Sequence, residues 1–135
     1  MPAKPERTFR NRVTKQLHNS IDTWSVHDSF TAGVPDHWYS GWKADLWAEY
    51  KYFPKSKNKF NLVSGKAPKL SMLQQHWLNR KLKQGRNVCV IVGFPQGALV
   101  LDNGEWMNEI TEVENKIITV KELAREIEKR CGLYK

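Results

Sequence analysis

The chain lacks several features that define large classes of proteins. Its 135 residues include only two cysteines, Cys89 and Cys131, which lie far apart and offer neither a disulfide framework nor a zinc-binding pattern. So few cysteines favour a reducing compartment, and a single disulfide between the two stays open. No apolar run reaches the roughly 18 residues of a transmembrane helix, and no apolar stretch follows residues 1–5 as it would in a secretory signal. We therefore expect a cytoplasmic protein that does not enter a membrane.

Several common functional motifs are also missing. The sequence contains no glycine-rich loop ending in Lys-Ser or Lys-Thr and no Rossmann fingerprint, so nucleotide-binding folds of those kinds are not predicted. It has no nucleophile elbow of the serine hydrolases and no aromatic motif of an RNA-recognition platform. Any functional residues must therefore be spread along the chain and not grouped in one of these short motifs.

Acidic residues are absent from one long stretch. Residues 51–86 hold ten Lys or Arg and no Asp or Glu, whereas residues 1–50 hold six of each sign and residues 87–135 hold six basic and eight acidic. The net charge of +8 therefore arises in a single segment. A nucleic acid would bind there with an affinity that falls steeply with salt; the alternative is a solvated face that serves solubility. The candidate phosphate-binding residues are Lys55, Lys57, Lys59, Lys66, Lys69, Arg80 and Lys81.

The most informative stretch is residues 33–53, in which one acidic residue, Asp36, precedes a predicted turn and another, Glu49, follows it. The flanking runs are rich in Trp and Tyr, which favour strands, so residues 43–45 predict the turn of a hairpin. Such a hairpin brings Asp36 near Glu49, and strand alternation places Glu49 and Lys51 on the same face. Two carboxylates and one ammonium in a small volume call for a compensating divalent cation. The alternative is a hairpin with ordinary surface charges.

Asp and Glu are oxygen ligands suited to Mg²⁺ or Mn²⁺, and Mg²⁺ commonly takes one or two carboxylates together with waters and phosphate oxygens. A metal held by Asp36 and Glu49 would polarise a phosphodiester and activate water. Lys51 would orient the nucleophile or balance charge on the phosphorane. These residues predict metal-dependent phosphodiester hydrolysis.

Gly33-Val34-Pro35-Asp36 followed by Glu49-Tyr50-Lys51 resembles the motif of the PD-(D/E)xK nuclease superfamily. The order of motifs is most similar to the small phage VRR-Nuc-type and Holliday-junction-resolvase-like endonucleases. In those proteins a helix with a Glu comes first, and a helix reading Leu-Ser-x-x-Gln-x-x-Trp-Leu and an apolar strand come afterwards. This chain has Glu6, then residues 70–78, then residues 88–93 in the same order.

The resemblance implies a restriction-endonuclease-like core in an α/β domain. It implies Asp36 and Glu49 as metal ligands together with the backbone carbonyl of Tyr50, and Lys51 beside the reacting water. For Glu6 it implies a place near the metal, as a ligand or through water. For Gln74 it implies a contact with the water or the scissile phosphate.

Four of the neighbouring residues also have structural explanations. Glu6 opens a helix, where a carboxylate suits the helix dipole. Ser71 followed by Gln74 has the spacing of a capping box, and one side chain is not expected to cap the helix and enter the site as well. The site role for Gln74 is favoured. His27 and His37 lie near the site in sequence, and a structural role is the commoner one for such residues.

The chain is predicted to form one domain over residues 1–135 with the order α-β-β-β-α-β and a C-terminal helix. Residues 1–5 are expected to be disordered, and residues 54–69 to form a basic loop that orders as a flap on the substrate. The predicted helices cover residues 6–19, 71–84 and 119–131, and the predicted strands cover residues 22–30, 36–42, 46–53, 88–93 and 98–101.

The sequence therefore predicts a Mg²⁺-dependent DNA endonuclease that is selective for branched DNA or junctions. Cutting a junction needs two active sites, so a homodimer is expected. One alternative is a sequence-specific homing or restriction-type endonuclease. The alternative from another class is a DNA-binding module that keeps the nuclease fold without catalysis. A phage origin, with action in the host cytoplasm, rests on the resemblance alone.

Overall fold

The computed structural model describes residues 4–26 and 33–133. Three helices and five strands follow one another in the order that the sequence predicts. They are α1 (Lys4–Lys15), β1 (Asp22–Ser25), β2 (His37–Ser40), β3 (Asp45–Tyr52), α2 (Met72–Lys83), β4 (Val88–Phe94), β5 (Gly97–Leu101) and α3 (Val120–Arg130). No described helix is long and apolar enough to cross a membrane.

The strands form one mixed sheet in the order β1-β2-β3-β4-β5. Three pairs are antiparallel, and β3 and β4 are parallel, with Glu49 opposite Val90 and Lys51 opposite Val92. Parallel neighbours require a crossover connection, which is supplied here by the segment that contains α2. The α/β class, the mixed sheet and the C-terminal helix agree with the prediction.

The central strand β4 is buried along its whole length, as its continuous apolar run predicts. Its residues alternate between two cores on opposite faces of the sheet. Cys89 and Ile91 face α1 and α3, whereas Val90 and Val92 pack on the side of α2. Burying an aliphatic side chain contributes about 1.5–3 kcal/mol, so this strand fixes the sheet between the two layers.

Helices α1 and α3 cover one face and contact each other. Glu128 of α3 is fully buried and accepts hydrogen bonds from the His18 backbone N–H and from Arg125 Nε. Gly93 allows α1 to approach the sheet closely, because a Cβ at this position would lie 2.7 Å from the Phe9 ring. This approach sets where the first turn of α1 lies along β3.

Three predictions about local structure are corrected. Residues 4 and 5 belong to α1, since proline is tolerated in a first helical turn. Residues 1–3 lie outside the described residues. Residues 27–30 of the predicted first strand, which include His27, also lie outside them. Asp45 begins β3 and accepts a hydrogen bond from Ser40 Oγ, whereas the sequence predicts it in the turn.

The predicted flap at residues 54–69 is also wrong, because this segment is anchored to the body of the protein. Phe60 exchanges two backbone hydrogen bonds with Ile110, and the Phe60 and Leu62 side chains are buried in the core. The basic residues of the segment are interspersed with apolar ones that hold it down. The lysines thus lie on a fixed surface.

Candidate active site

The site is built around the second half of β3. Glu49 and Lys51 lie two residues apart and therefore share a face of the strand. The Lys51 Nζ atom is 3.2 Å from Glu49 Oε2, and both side chains are largely buried. This is the side of the sheet that α2 covers, as Val90 and Val92 on the neighbouring strand show.

Asp36 is brought to β3 by reciprocal hydrogen bonds. The Asp36 backbone N–H donates to Glu49 Oε1 at 3.2 Å, and the Tyr50 backbone N–H donates to Asp36 Oδ2 at 3.1 Å. The pairing of β2 with β3 begins at His37 and Ala48, so the edge of β3 beyond Ala48 is open to this carboxylate. Within a strand the N–H and C=O of one residue point the same way. The Tyr50 carbonyl therefore faces Asp36 as well.

Gly33 explains how the segment before Asp36 reaches α2. Its φ of +90° lies in the left-handed region, and a Cβ at this position would be only 2.3 Å from the Leu73 carbonyl oxygen. A larger residue would push the segment away from the first turn of α2. The glycine thus keeps Asp36 and Gln74 close to the same point on β3.

Gln74 caps its helix and enters the site at the same time, which corrects the expectation that it would do only one. Its Oε1 accepts from the Ser71 backbone N–H at 3.0 Å and from Lys51 Nζ at 3.3 Å. Its Nε2 donates to Glu49 Oε2 at 3.1 Å. One side chain can do both because the amide oxygen can accept two hydrogen bonds while the amide nitrogen donates a third.

Glu6 completes the cluster from the first turn of α1. Burial, together with the charge of Asp36, raises the pKa of the Glu6 carboxyl to about 7, with Lys51 and Arg10 opposing the rise. Burial and the charge of Asp36 likewise raise the pKa of Glu49 to about 8, with Lys51 opposing the rise. Three carboxyl groups thus lie together with one ammonium, and at neutral pH Glu6 and Glu49 hold protons for much of the time, which lowers the repulsion between the carboxyl groups.

The donor set suits a magnesium or manganese ion in type and number. No three His, Cys, Asp or Glu side chains form a preformed metal cage within residues 4–26 and 33–133. Mg²⁺ does not require such a cage, since it commonly uses one or two carboxylates and keeps several waters. Asp36 and Glu49 supply those carboxylates, and the raised pKa values of Glu6 and Glu49 mark a place where a cation would be stabilising.

The predicted phosphate-binding residues do not all lie at the site. Lys57 and Lys69 place their Nζ atoms 5.3 and 4.6 Å from the centre of the Phe53 ring, directly after β3. Lys81 lies over the Trp77 ring on α2 and contacts Gln84. The other four are exposed, and they are Lys55, Lys59, Lys66 and Arg80.

Arg10 was not predicted as a site residue, whereas His37 was expected to have a structural role. Arg10 is buried, lies one helical turn after Glu6, and lowers the pKa of the Glu6 carboxyl through its charge. The i, i+4 spacing was a signal that could have identified it. His37 is buried on the opposite face beside Tyr39, and burial followed by the charge of Arg10 lowers its pKa to about 4. A neutral, buried imidazole supports the structural role expected for His37.

The fold is shared with a solved Holliday junction resolvase. The structure matches Hjc of Archaeoglobus fulgidus, a resolvase from an archaeal hyperthermophile, with a TM-score of 0.57 and 16% sequence identity. The match covers 93% of this chain and 99% of that chain. No protein-family model and no curated protein matches the chain. The chain therefore has the fold of this resolvase, which agrees with the fold class that the resemblance implies.

Proposed function

We propose that the protein is a metal-dependent DNA endonuclease that is selective for branched DNA. The convergence of Asp36, Glu49, Lys51 and Gln74 at one end of β3 carries this proposal. An acidic pair with an adjacent ammonium is the arrangement that phosphodiester hydrolysis with Mg²⁺ needs. The sheet and helices around it have the fold of a resolvase.

Each residue has a distinct role in this proposal. The carboxylates of Asp36 and Glu49 would hold Mg²⁺ or Mn²⁺, with the Tyr50 carbonyl as a third oxygen. The bound ion would supply polarisation of the phosphodiester and activation of water. Glu6 hydrogen-bonds with Asp36, so it would position that carboxylate or reach the ion through water.

Lys51 and Gln74 act on the same oxygen. Lys51 Nζ is 3.2 Å and Gln74 Nε2 is 3.1 Å from Glu49 Oε2, and Lys51 also donates to Gln74 Oε1. This network fixes the ammonium beside the acidic pair without neutralising all of it. Lys51 would then orient the attacking water and stabilise charge on the phosphorane, and Gln74 would hold Lys51 in place or contact the scissile phosphate.

The substrate proposal rests on architecture and charge. The described strands all belong to the sheet that carries the site. We propose that these elements recognise the shape of the DNA and not its sequence. Lys57 and Lys69 beside Phe53 would contact phosphates next to the site, with the other basic residues of the 51–86 segment farther along. Paired cuts in a junction require a homodimer. Phage association and action in the host cytoplasm are proposed on the resemblance of the motifs alone.

The test is cleavage of a matched set of substrates: linear duplex, flap, nicked duplex and four-way junction, each with Mg²⁺ or with EDTA. We expect metal-dependent cutting that is fastest on the junction. Asp36→Ala should abolish cutting and leave folding and DNA binding intact. Glu109→Ala is the control, because this exposed carboxylate lies outside the cluster at β3.

Other results would select the alternatives. Cutting of plain duplex at a single sequence would favour the homing or restriction-type enzyme. Binding of every substrate without cutting of any would favour the non-catalytic module. Wild-type rates in Asp36→Ala would refute the assigned site whatever the substrate.

A further inference from the structure

Four tryptophans form a continuous row across the molecule. Trp24 of β1, Trp38 of β2 and Trp47 of β3 are paired in register on neighbouring strands, and Trp77 of α2 continues the row. The ring centres are separated by 6.2, 6.3 and 5.6 Å in that order. Trp24 is 66% exposed at the sheet edge, so the outer part of the row is open to solvent.

The row leads directly to the candidate active site. Trp47 and Glu49 are two residues apart on β3 and lie on the same face, about 7 Å apart along the strand. Trp77 lies on α2 three residues after Gln74, which hydrogen-bonds to Glu49. A strand held by the tryptophans would therefore continue into the carboxylate cluster.

Positive charge accompanies the inner end of the row. Lys81 Nζ lies 5.8 Å from the centre of the Trp77 ring, and the last turn of α2 also carries Arg80 and Lys83. Aromatic rings next to cations are the combination that binds single strands, since the rings stack on bases while the cations meet phosphates. Asp45 lines the hollow beside Trp24, Trp38 and Trp47, so the positive charge is confined to the α2 end of the row, and it is this end that suits a polyanion.

The ring geometry argues for unpaired nucleotides. Bases in a duplex are stacked about 3.4 Å apart along each strand, and their faces are covered by their neighbours. The rings of the row lie at 64°, 44° and 65° to one another, so a base can stack only on a face that these contacts leave open, above all that of the exposed Trp24. Bases inside a duplex must first separate before they can stack there. Only an unpaired strand offers such free base faces.

We propose that the tryptophan row binds the bases of an unpaired DNA strand and that α2 binds its phosphates. The inference rests on the proposed nuclease function and deepens it, since it names a single-stranded arm as part of the preferred substrate. Such an arm would place the adjoining branch point at Asp36 and Glu49.

The test is binding in EDTA, where no cutting occurs, of three labelled ligands: an oligothymidylate of about 16 nucleotides, a duplex with a single-stranded tail, and a blunt duplex. Trp24→Ala should weaken binding of the first two by about five-fold or more, as loss of one base stack predicts. Binding of the blunt duplex should stay within about two-fold.

Two control variants isolate the ring. Trp24→Phe keeps an aromatic face and should keep most of the affinity for the tailed duplex. Trp42→Ala removes a tryptophan that is 85% exposed in the turn between β2 and β3 and makes none of the ring contacts of the row. It should leave all three affinities unchanged.

Three results would overturn the proposal. These are unchanged binding in Trp24→Ala, equal loss on blunt duplex and single strand, or a shift from dimer to monomer in sedimentation velocity. The last would make this face an interface between copies of the chain. Failure of the nuclease proposal is separately visible, because a chain that cuts nothing could still lose single-strand binding in Trp24→Ala.

Discussion

Two buried glutamates, Glu128 and Glu49, differ in the charged groups that surround their carboxylates. Glu128 on α3 is fully buried, and its oxygens accept from Arg125 Nε at 2.9 Å and from the His18 backbone N–H at 2.8 Å. Glu49 on β3 is 1% exposed and also accepts several hydrogen bonds. Its neighbours, however, include two further carboxyl groups, and its pKa is raised to about 8.

If the proposed function holds, the difference separates a structural carboxylate, Glu128, from a functional one, Glu49. Glu128 joins α3 to the segment after α1 and has an opposite charge directly beside it. Glu49 has Lys51 beside it, but two further carboxyl groups, Asp36 and Glu6, share that single ammonium. Burying like charges together destabilises the fold unless a cation or a proton is bound. Carboxyl groups with strongly raised pKa values are common at functional sites, where a cation or substrate binds them.

The contrast predicts opposite results for removing the two side chains. Glu49→Ala should lower the rate of metal-dependent cleavage by about a thousand-fold or more, because a metal ligand is removed. Alanine at this position leaves the Asp36 N–H, Gln74 Nε2 and Lys51 without an acceptor but also removes one of three clustered carboxyl groups, so the free energy of unfolding should change less than in Glu128→Ala. Glu128→Ala should lower the free energy of unfolding by about 1–3 kcal/mol, since the His18 N–H and Arg125 lose their partner. Its cleavage rate per folded molecule should not change.

Cleavage assays and chemical denaturation of both variants check this prediction. Glu105→Ala would not serve as a neutral control, because this carboxylate caps the Asp102 backbone N–H; the exposed Glu109 is suitable. A large loss of stability in Glu49→Ala with cleavage retained would reverse the two assignments.

The second prediction concerns the pH dependence of stability without metal. The pKa of Glu6 rises from 4.5 to about 7 on folding, so the folded state holds a proton that the unfolded chain has already released. Unfolding then releases protons, and stability must fall as the pH rises through about 7. Glu6→Gln cannot ionise, so it should gain stability relative to the wild-type chain as the pH rises from about 4.5 to about 8, by no more than about 1 kcal/mol for this partly exposed group.

Thermal melts of both chains in EDTA measure that difference, and Glu109→Gln is the control. Mg²⁺ should raise the melting temperature of the wild-type chain more at the higher pH, because the ion competes with protons for the carboxylates. A constant difference between the Glu6→Gln and wild-type midpoints across this range would mean that Glu6 has no raised pKa.

Much of this region could be predicted from the sequence because its determinants are local. The apolar run at 88–93 predicts a strand buried on both sides, and the two-residue spacing of Glu49 and Lys51 predicts a shared face. The motif order indicates Asp36 and Glu6 at the same site. Their contact depends on how α1 packs on the sheet, which local patterns do not specify.

The errors came from interactions distant in sequence. The lysines at 54–69 indicate a mobile flap, but Phe60 pairs with Ile110, a partner 50 residues away that no local pattern reveals. The tryptophan row was equally hidden, since its members come from three strands and a helix. The dual role of Gln74 was not predicted because the geometry of its two amide ends depends on Lys51 and Glu49.

The smallest predicted effect concerns basic residues in the two regions and whether carboxylates form ion pairs with them. Two arginines on the helix of Glu128 are held by carboxylates: Arg125 by Glu128 itself, and Arg130 by Asp102 and Glu126. Lys57 and Lys69, near the Glu49 site, lie over the Phe53 ring, and no ion pair joins either to a carboxylate in the described part of the chain. They should therefore be available to phosphates.

Lys57→Ala combined with Lys69→Ala should weaken DNA binding several-fold, without regard to sequence. It should also reduce the slope of log affinity against log salt by about 0.9 for each phosphate that the protein no longer neutralises. Lys121→Ala combined with Lys129→Ala removes the same charge from α3, on the other face of the sheet, and should leave the slope unchanged. Equal slopes for the two double variants would show that net charge alone governs binding. A selective reduction would instead show that the phosphates run past Phe53 towards Glu49.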